Sequence, residues 1–363
     1  MDYTLASKAA EQAIIDDILG SDRAVNAALY QTYANNLRRA IDRVFAQDDG
    51  SGLSDRLRAN VSRFAAYKAY HATRLARQAA AEPDGDPRRV LHTFNRYQAA
   101  EYNTTVSRSR TAKQWGEFAD ADHMRLFPNL RWLPSRSATP REEHVRFYNR
   151  VWAKTDPFWQ QNQPGNLWNC KCDWEETDDP CTAANPTTPI RHNGLEGNPA
   201  LTGQVFTDNH AYVSKAGNNR KERDRVEKEC RSLDRDRLQK SKNNSPLLNR
   251  EISMPIGSTT KKVEFTDWGI REIAQSMFND RLFWLKNELL KGHLAINDMQ
   301  YIRSAKVDLS HNSGKTIRKK RQMALFHYIC FRVGDTILCA HIAEMRNGSY
   351  VLYTITKNPP KYE

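Results

Sequence analysis

The chain has 363 residues, enough for two or three domains and at least one sizeable core. Its 39% apolar content and mean hydropathy of −0.77 describe a polar, helix-rich protein with no apolar run of membrane-spanning length and no basic-then-apolar leader at Met1-Asp2-Tyr3-Thr4. A net charge of +12 favours anionic partners, nucleic acid first, although like charge also simply keeps a surface soluble, and six cysteines in so long a chain do not make a disulfide framework.

Residues 1–81 read as long helices forming an N-terminal arm. Val25, Ala28, Leu29, Tyr33 and Leu37 keep a helical period, as do parts of the run Phe64, Ala65, Tyr67, Lys68 and Ala69. The turn-forming Asp48-Asp49-Gly50-Ser51-Gly52 separates them. With few bulky aliphatics, these helices are expected to pack on the rest of the chain or on a partner. Ala81-Glu82-Pro83-Asp84-Gly85-Asp86-Pro87 is a loop by its turn chemistry, and a helix is expected from Arg88 to Trp115. Its interior Asn103-Thr104-Thr105-Val106-Ser107-Arg108-Ser109-Arg110 is rich in side chains that compete for backbone hydrogen bonds, so neighbours must hold that helix in place.

Five of the eight tryptophans fall between Leu130 and Trp174: Trp132, Trp152, Trp159, Trp168 and Trp174. Aromatics at this density anchor a core. The same stretch holds Arg136, Arg141, His144 and the close pair Cys170 and Cys172. This arrangement resembles the phage head-morphogenesis family, the Mu F-like minor head proteins, in which a Trp and an Arg-containing turn lead to a His and then to a Cys-x-Cys. The resemblance extends from about Lys68 to Tyr212. It takes in the helix starting at Asn95-Arg96-Tyr97-Gln98 and the segment from Gly197-Asn198-Pro199 to Asn209-His210. It implies a head-morphogenesis core over residues 82–190, with Trp132, Arg136, His144, Cys170 and Cys172 as its structural motif. It also implies portal and capsid proteins as partners, and a place in the virion head after assembly in a host cytoplasm.

Thiolate and imidazole suit zinc, so Cys170, Cys172, Cys181 and His144 raise the question of a site. Cys-x-Cys is a poorer chelate than the usual Cys-x2-Cys, and a fourth ligand is not obvious. A reduced pair packed in a turn is the expectation, with no cofactor, and the absence of a His-Glu-x-x-His motif argues against a metalloenzyme.

Residues 191–250 are expected to hold an irregular segment and then a densely charged, exposed helical spacer from Asn219 to about Lys242. Residues 251–363 form a second domain. Helices are expected at Trp268–Leu290 and Ile296–Ala305, then a basic, turn-rich stretch from Lys306 to Arg321, then strands at Ala324–Val333, Thr336–Met345 and Tyr350–Thr356. Gly334-Asp335 and Asn347-Gly348 are pairs favoured by two-residue hairpin turns. Counting outward from those turns sets Tyr328 opposite His341, Cys330 opposite Cys339, His341 opposite Thr354 and Cys339 opposite Thr356. One face then carries the row Tyr328–His341–Thr354 with Arg332 further along. The other carries Leu325, His327, Ile329, Phe331, Leu338, Ala340, Ile342, Val351, Tyr353 and Ile355, on which the helices should pack.

The fold class is therefore α+β: a mostly helical region followed by a C-terminal domain with helices on an antiparallel β-meander. An open row of His, Tyr, Thr and Arg beside a basic loop suits metal-independent RNA cleavage, with His341 as acid or base, Tyr328 and Thr354 as its partners, and Arg332, Lys315 or Lys306 at the phosphate. Arg318, Lys319, Lys320 and Arg321 would bind the nucleic acid. The layout resembles the barnase–EndoU–colicin–RelE-like nuclease fold, which implies a ribonuclease-like effector. An ordinary amphipathic sheet serving as an inactive docking or nucleic-acid-binding module is the alternative, and a covered row would favour it.

Overall fold

The computed structural model describes residues 8–45, 52–182, 190, 192–217, 220–277, 286, 289–290, 292, 296–308, 320–333 and 336–356. It falls into two units, Met1–Phe45 with Asp49–Cys230 and Ala46–Asp48 with Arg231–Glu363.

In the first unit, helices α1 (Lys8–Gly20), α2 (Ala27–Val44) and α3 (Leu53–Ala81) begin the chain. Asn26 caps α2 by accepting the Leu29 N–H at 3.0 Å. Leu29, Tyr33, Leu37 and Ile41 recur every four residues and form its buried stripe, while Ala28 lies outside it. α3 buries mainly alanines (Ala65, Ala66, Ala69, Ala72 and Ala76), so its backbone comes close to its neighbours. The arm is built into the unit. Asn60 exchanges hydrogen bonds with the Phe206 backbone (2.8 and 2.9 Å), and Tyr67 donates to Glu227 (3.0 Å).

The helix expected from Arg88 is two helices, α4 (Pro87–Arg96) and α5 (Gln98–Phe118), parted at Tyr97. Within α5, Thr105 and Thr111 turn their hydroxyls back onto the Glu101 and Arg108 carbonyls, at 2.8 and 3.1 Å. After α6 (Ala121–Leu126) come β1 (Asn129–Leu133), α7 (Glu142–Val145), β2 (Val151–Ala153), α8 (Phe158–Gln161) and β3 (Asp173–Thr177). The strands form an antiparallel sheet in the order β2-β1-β3, with Trp132 opposite Trp174. Short helices α9 (Pro199–Thr202) and α10 (Ala211–Gly217) lead to α11 (Arg220–Asn243). The division between the two units falls within this charged helix, after Cys230, and on its first-unit part Val226 and Cys230, four apart, are buried.

The second unit holds β4 (Glu251–Ile256), β5 (Thr259–Glu264), α12 (Asp267–Met277), β6 (Ile296–Lys306), β7 (Met323–Val333), β8 (Thr336–Met345) and β9 (Tyr350–Thr356). Its sheet is mixed and six-stranded, in the order β4-β5-β9-β8-β7-β6, and β5 runs parallel to β9. That corrects the expected pure antiparallel meander. The expected helix at Ile296–Ala305 is strand β6, whose two register shifts against β7 explain the misreading. Each extra residue moves the alternation by one, so apolar residues three apart come onto one face as they would on a helix. The part of the expected Trp268–Leu290 helix at 278–285, and the turn Gly334-Asp335, lie outside the described residues.

Pairings counted from the turns recur here: Tyr328↔His341, Cys330↔Cys339, His341↔Thr354 and Cys339↔Thr356. The β8–β9 register arises from two offsets that cancel. The hairpin closes from Met345 N–H to Ser349 O (2.8 Å) around three residues, with Gly348 at φ 85, and a bulge beside His341 then restores the count. Between the two offsets β9 is turned over. Leu352 faces the main core with Ile329, Leu338 and Ile355, whereas Val351 and Tyr353, expected there, lie on the opposite face.

Candidate functional site

The aromatic stretch folds as one core. Trp132, Trp152, Trp159 and Trp174 pack with Phe147, Phe158, Leu130, Cys170 and Cys172. Trp152 stacks on Phe158 at 4.0 Å, and Trp132 on Trp159 at 6.2 Å. Trp168, the fifth tryptophan, instead stacks on Phe206 at 5.7 Å. Two asparagines in the left-handed region make the sharp turns this core needs, Asn149 (φ 59) after α7 and Asn169 (φ 54) just before Cys170. The first lets the Asn149 N–H reach Trp132 O at 2.8 Å.

Strand β1 thereby sets Trp132, α7 sets His144, and the turn before β3 sets both cysteines on one buried point. Cys170 Sγ lies 3.3 Å and Cys172 Sγ 3.7 Å from His144 Nδ1. The three ligand atoms lie within 4.8 Å of one another, and all three residues are buried. Cys172 and His144 together hold the Cys170 thiol far below its ordinary range, at about 4, and Cys170 in turn raises Cys172. Trp132 Nε1–H and the Tyr148 hydroxyl both bias Cys172 toward thiolate, and neither buried donor completes a hydrogen bond among the described residues. Such a set can bind a soft or borderline metal or act as a reactive thiol, and its burial disfavours the latter. Cys181 is not part of it, being exposed and 3.4 Å from Asn129 Oδ1. Arg136 lies at the rim, with its N–H on Lys171 O (3.2 Å) and its guanidinium beside Asp173 (3.3 Å). Arg141 donates twice to Trp168 O, at 3.0 and 2.8 Å.

Two buried polar clusters behind this core were not singled out from the sequence. Arg108 on α5 is fully buried and donates to Asn166 Oδ1 and to the carbonyls of Leu195, Glu196, Gly197 and Gln204. Burial lowers its pKa to about 9. Lys68 and Glu101 form a buried pair at 2.5 Å, with the Lys68 ammonium 4.4 Å from the Tyr33 ring centre. The polar stretch of α5 was the signal available for Arg108.

In the second unit the Tyr328 and His341 rings meet edge to face at 4.9 Å, with Thr354 next in the row. The row is only partly covered, with His341 and Thr354 half-buried and Arg332 exposed. Tyr328 is 8% exposed and belongs to a second apolar cluster with Met323, Phe326, Cys339, Ala343 and Val351, against which Trp268 packs. Burial first, and Lys286 second, lower the His341 pKa to about 4, and its Nε2 pairs with Thr356 Oγ1 (3.0 Å) instead of Thr354. The cation over Tyr328 is Arg303 of β6, 5.3 Å from the ring centre, hidden from sequence reasoning because β6 read as a helix. Arg332 pairs with Asp298 at 3.2 Å. Lys306 is exposed at the end of β6, Lys320 donates to Asp308 O (3.1 Å), and Arg321 O accepts from Arg346 (2.9 Å). Lys315, Arg318 and Lys319 lie outside the described residues. A dyad that was missed, His327 Nε2 with Glu344 at 2.9 Å, lies between the Tyr301 and Tyr350 rings. In the sequence His327 reads as one position of the apolar face, which conceals its pairing with Glu344.

No family model matches the chain, and no solved structure matches it. A segment of 89 residues, 24% of the chain, is 34% identical to the putative capsid assembly protein F of Escherichia phage Mu. The match spans 18% of that protein's length. It establishes a distant, partial relation to phage head-morphogenesis proteins. Among the described residues no helix is long and apolar enough to cross a membrane.

Proposed function

We propose that this chain is a component of phage or prophage head assembly, a minor head protein that acts near the portal and stays in the virion. The observation that carries this is the 34% identity over 89 residues to a phage Mu protein described as a putative capsid assembly protein. The first unit suits a structural role, since its buried ion pair, its Arg108 clamp and its aromatic core fix a shape. The test is co-expression of the tagged chain with the portal and capsid proteins of its own genome, followed by sedimentation. Head-sized particles should carry the chain at low copy number. A chain that stays in the soluble fraction while normal heads form would sink the proposal.

For the second unit, we propose a docking or nucleic-acid-binding module. A general acid or base must reach its substrate, and the half-buried His341 packs on the buried Tyr328 ring with its Nε2 on Thr356 Oγ1. The full chain, incubated with a labelled tRNA pool in EDTA, should leave it intact. Cleavage abolished by His341→Ala would restore the nuclease and place its site on this row.

A further inference from the structure

We infer that His144, Cys170 and Cys172 form a zinc site that pins the aromatic core of the first unit. The inference is independent of the head-assembly proposal, since it rests on the geometry of these side chains alone.

The distances fit a metal site. Tetrahedral zinc, with Zn–S near 2.3 Å and Zn–N near 2.0–2.1 Å, sets a ligating sulfur about 3.6 Å from a ligating nitrogen. The two sulfurs lie 3.3 and 3.7 Å from His144 Nδ1, on either side of that value. One imidazole nitrogen offers one lone pair, and two thiols cannot both be well satisfied by it. A cation at the centre of the three atoms satisfies all of them at once.

Charge points the same way. Zinc with two thiolates and a neutral imidazole has no net charge, so it can be buried in an aromatic core without an unpaired ion. The surroundings are those of a bound thiolate. Trp132 Nε1–H and the Tyr148 hydroxyl are buried in the same cluster as Cys172 with no completed hydrogen bond among the described residues, and a metal-bound thiolate is a strong enough acceptor to take them. Cys-x-Cys looked like a poor chelate in sequence. Here the left-handed turn at Asn169 and the Cys172 N–H to Cys170 Sγ contact at 3.4 Å fold the two sulfurs onto one side, while Lys171 is exposed.

Among the described residues no fourth His, Cys, Asp or Glu joins the cluster, which leaves the last corner to a ligand outside this set. Binding is then Zn²⁺ plus two thiols and one imidazole giving the complex and two protons; no oxidation is involved. Deep burial of all three ligands makes the role structural: the ion ties α7 to the Cys170–Cys172 turn that leads into β3.

The test uses the full chain, loaded with zinc or cobalt after chelation, desalted and analysed for metal. One zinc per chain is expected. The cobalt form should show the intense visible bands of a tetrahedral ion and near-ultraviolet thiolate-to-cobalt charge transfer. Cys170→Ser and His144→Asn should each lose the metal, and Cys181→Ser should keep it. Because the first two variants could fail to fold, alkylation of the wild-type chain gives a second readout: zinc should protect Cys170 and Cys172, located by peptide mass, and chelation should expose them. A folded wild-type chain that takes up no zinc and shows no thiolate–cobalt absorption overturns the site. Metal retained in Cys170→Ser, or a Cys170–Cys172 disulfide in the freshly purified chain, overturns it as well.

Discussion

Arg108 sets the largest single stake among the side chains of the first unit. Its guanidinium is fully buried, and its contacts are mostly backbone carbonyls. Removing the cation leaves those oxygens in a dry interior, where each unsatisfied polar group costs of order 1–3 kcal/mol. Arg108→Met, similar in length, should therefore lower the stability of the first unit by about 3–5 kcal/mol, read as the shift of its transition in urea. A loss below about 1 kcal/mol would mean that water replaces the guanidinium without penalty. His341 is the matching residue of the second unit, and its effect depends on pH. Buried, and with Lys286 near, it titrates at about 4 when folded against 6.5 when unfolded, so the folded state binds fewer protons. Its contribution is complete above pH 6.5 and is lost as pH falls toward 4, by about 3 kcal/mol in all. His341→Gln should flatten that fall between pH 6.5 and 4 in the melting of the second unit. An unchanged slope would place the acid sensitivity elsewhere.

Among the elements, two glycines inside helices should respond to the same substitution in opposite directions. Gly116, in the last turn of α5, has open space where a Cβ would stand, so Gly116→Ala should gain about 0.5–1 kcal/mol from helix propensity. Gly269, in the first turn of α12, would bring a Cβ to 2.1 Å from the Leu352 carbonyl oxygen of β9. Helix and strand must then separate, and Gly269→Ala should lose about 1–3 kcal/mol despite alanine's better propensity. Thermal melting of the two variants checks both signs. The same contact explains part of what the sequence hid. Hairpin chemistry at Asn347-Gly348 made the row from Tyr328 to Thr354 countable, because register follows from a turn. It could not reveal that the loop is one residue longer and that a bulge repays the difference, so Val351 and Tyr353 were assigned to the wrong face. Strand β6 failed for the same reason, its bulges imitating a helical period. β4 and β5 went unnoticed between a charged helix and an apolar one. In the first unit the tryptophans announced a core, but the convergence of His144 on Cys170 and Cys172 depends on two left-handed asparagines, and nothing in their spacing states that backbone geometry.

Taken whole, the molecule consists of two units with separate cores and, among the described residues, one candidate metal site, which lies entirely in the first: all three ligands fall between residues 144 and 172. A ligand that binds only the native state stabilises the unit that holds it, by about 2.7 kcal/mol at a hundredfold excess over its dissociation constant. For a unit of this size that corresponds to roughly 5–10 °C in melting temperature. Six of the eight tryptophans belong to the first unit, so their fluorescence reports chiefly on it. The second unit's core is built from Ile270, Ile273, Ile329, Leu338, Ile342 and Leu352 and has no part in the site. Heating the zinc-loaded and the chelated chain side by side should thus move the tryptophan-detected transition down by that amount on chelation. Backbone amide exchange in β7 and β8 should stay the same. If chelation leaves the tryptophan transition in place, the His144–Cys170–Cys172 cluster holds its shape by packing alone. If it loosens β7 and β8 equally, the two cores melt as one, and the second unit draws its stability from the first.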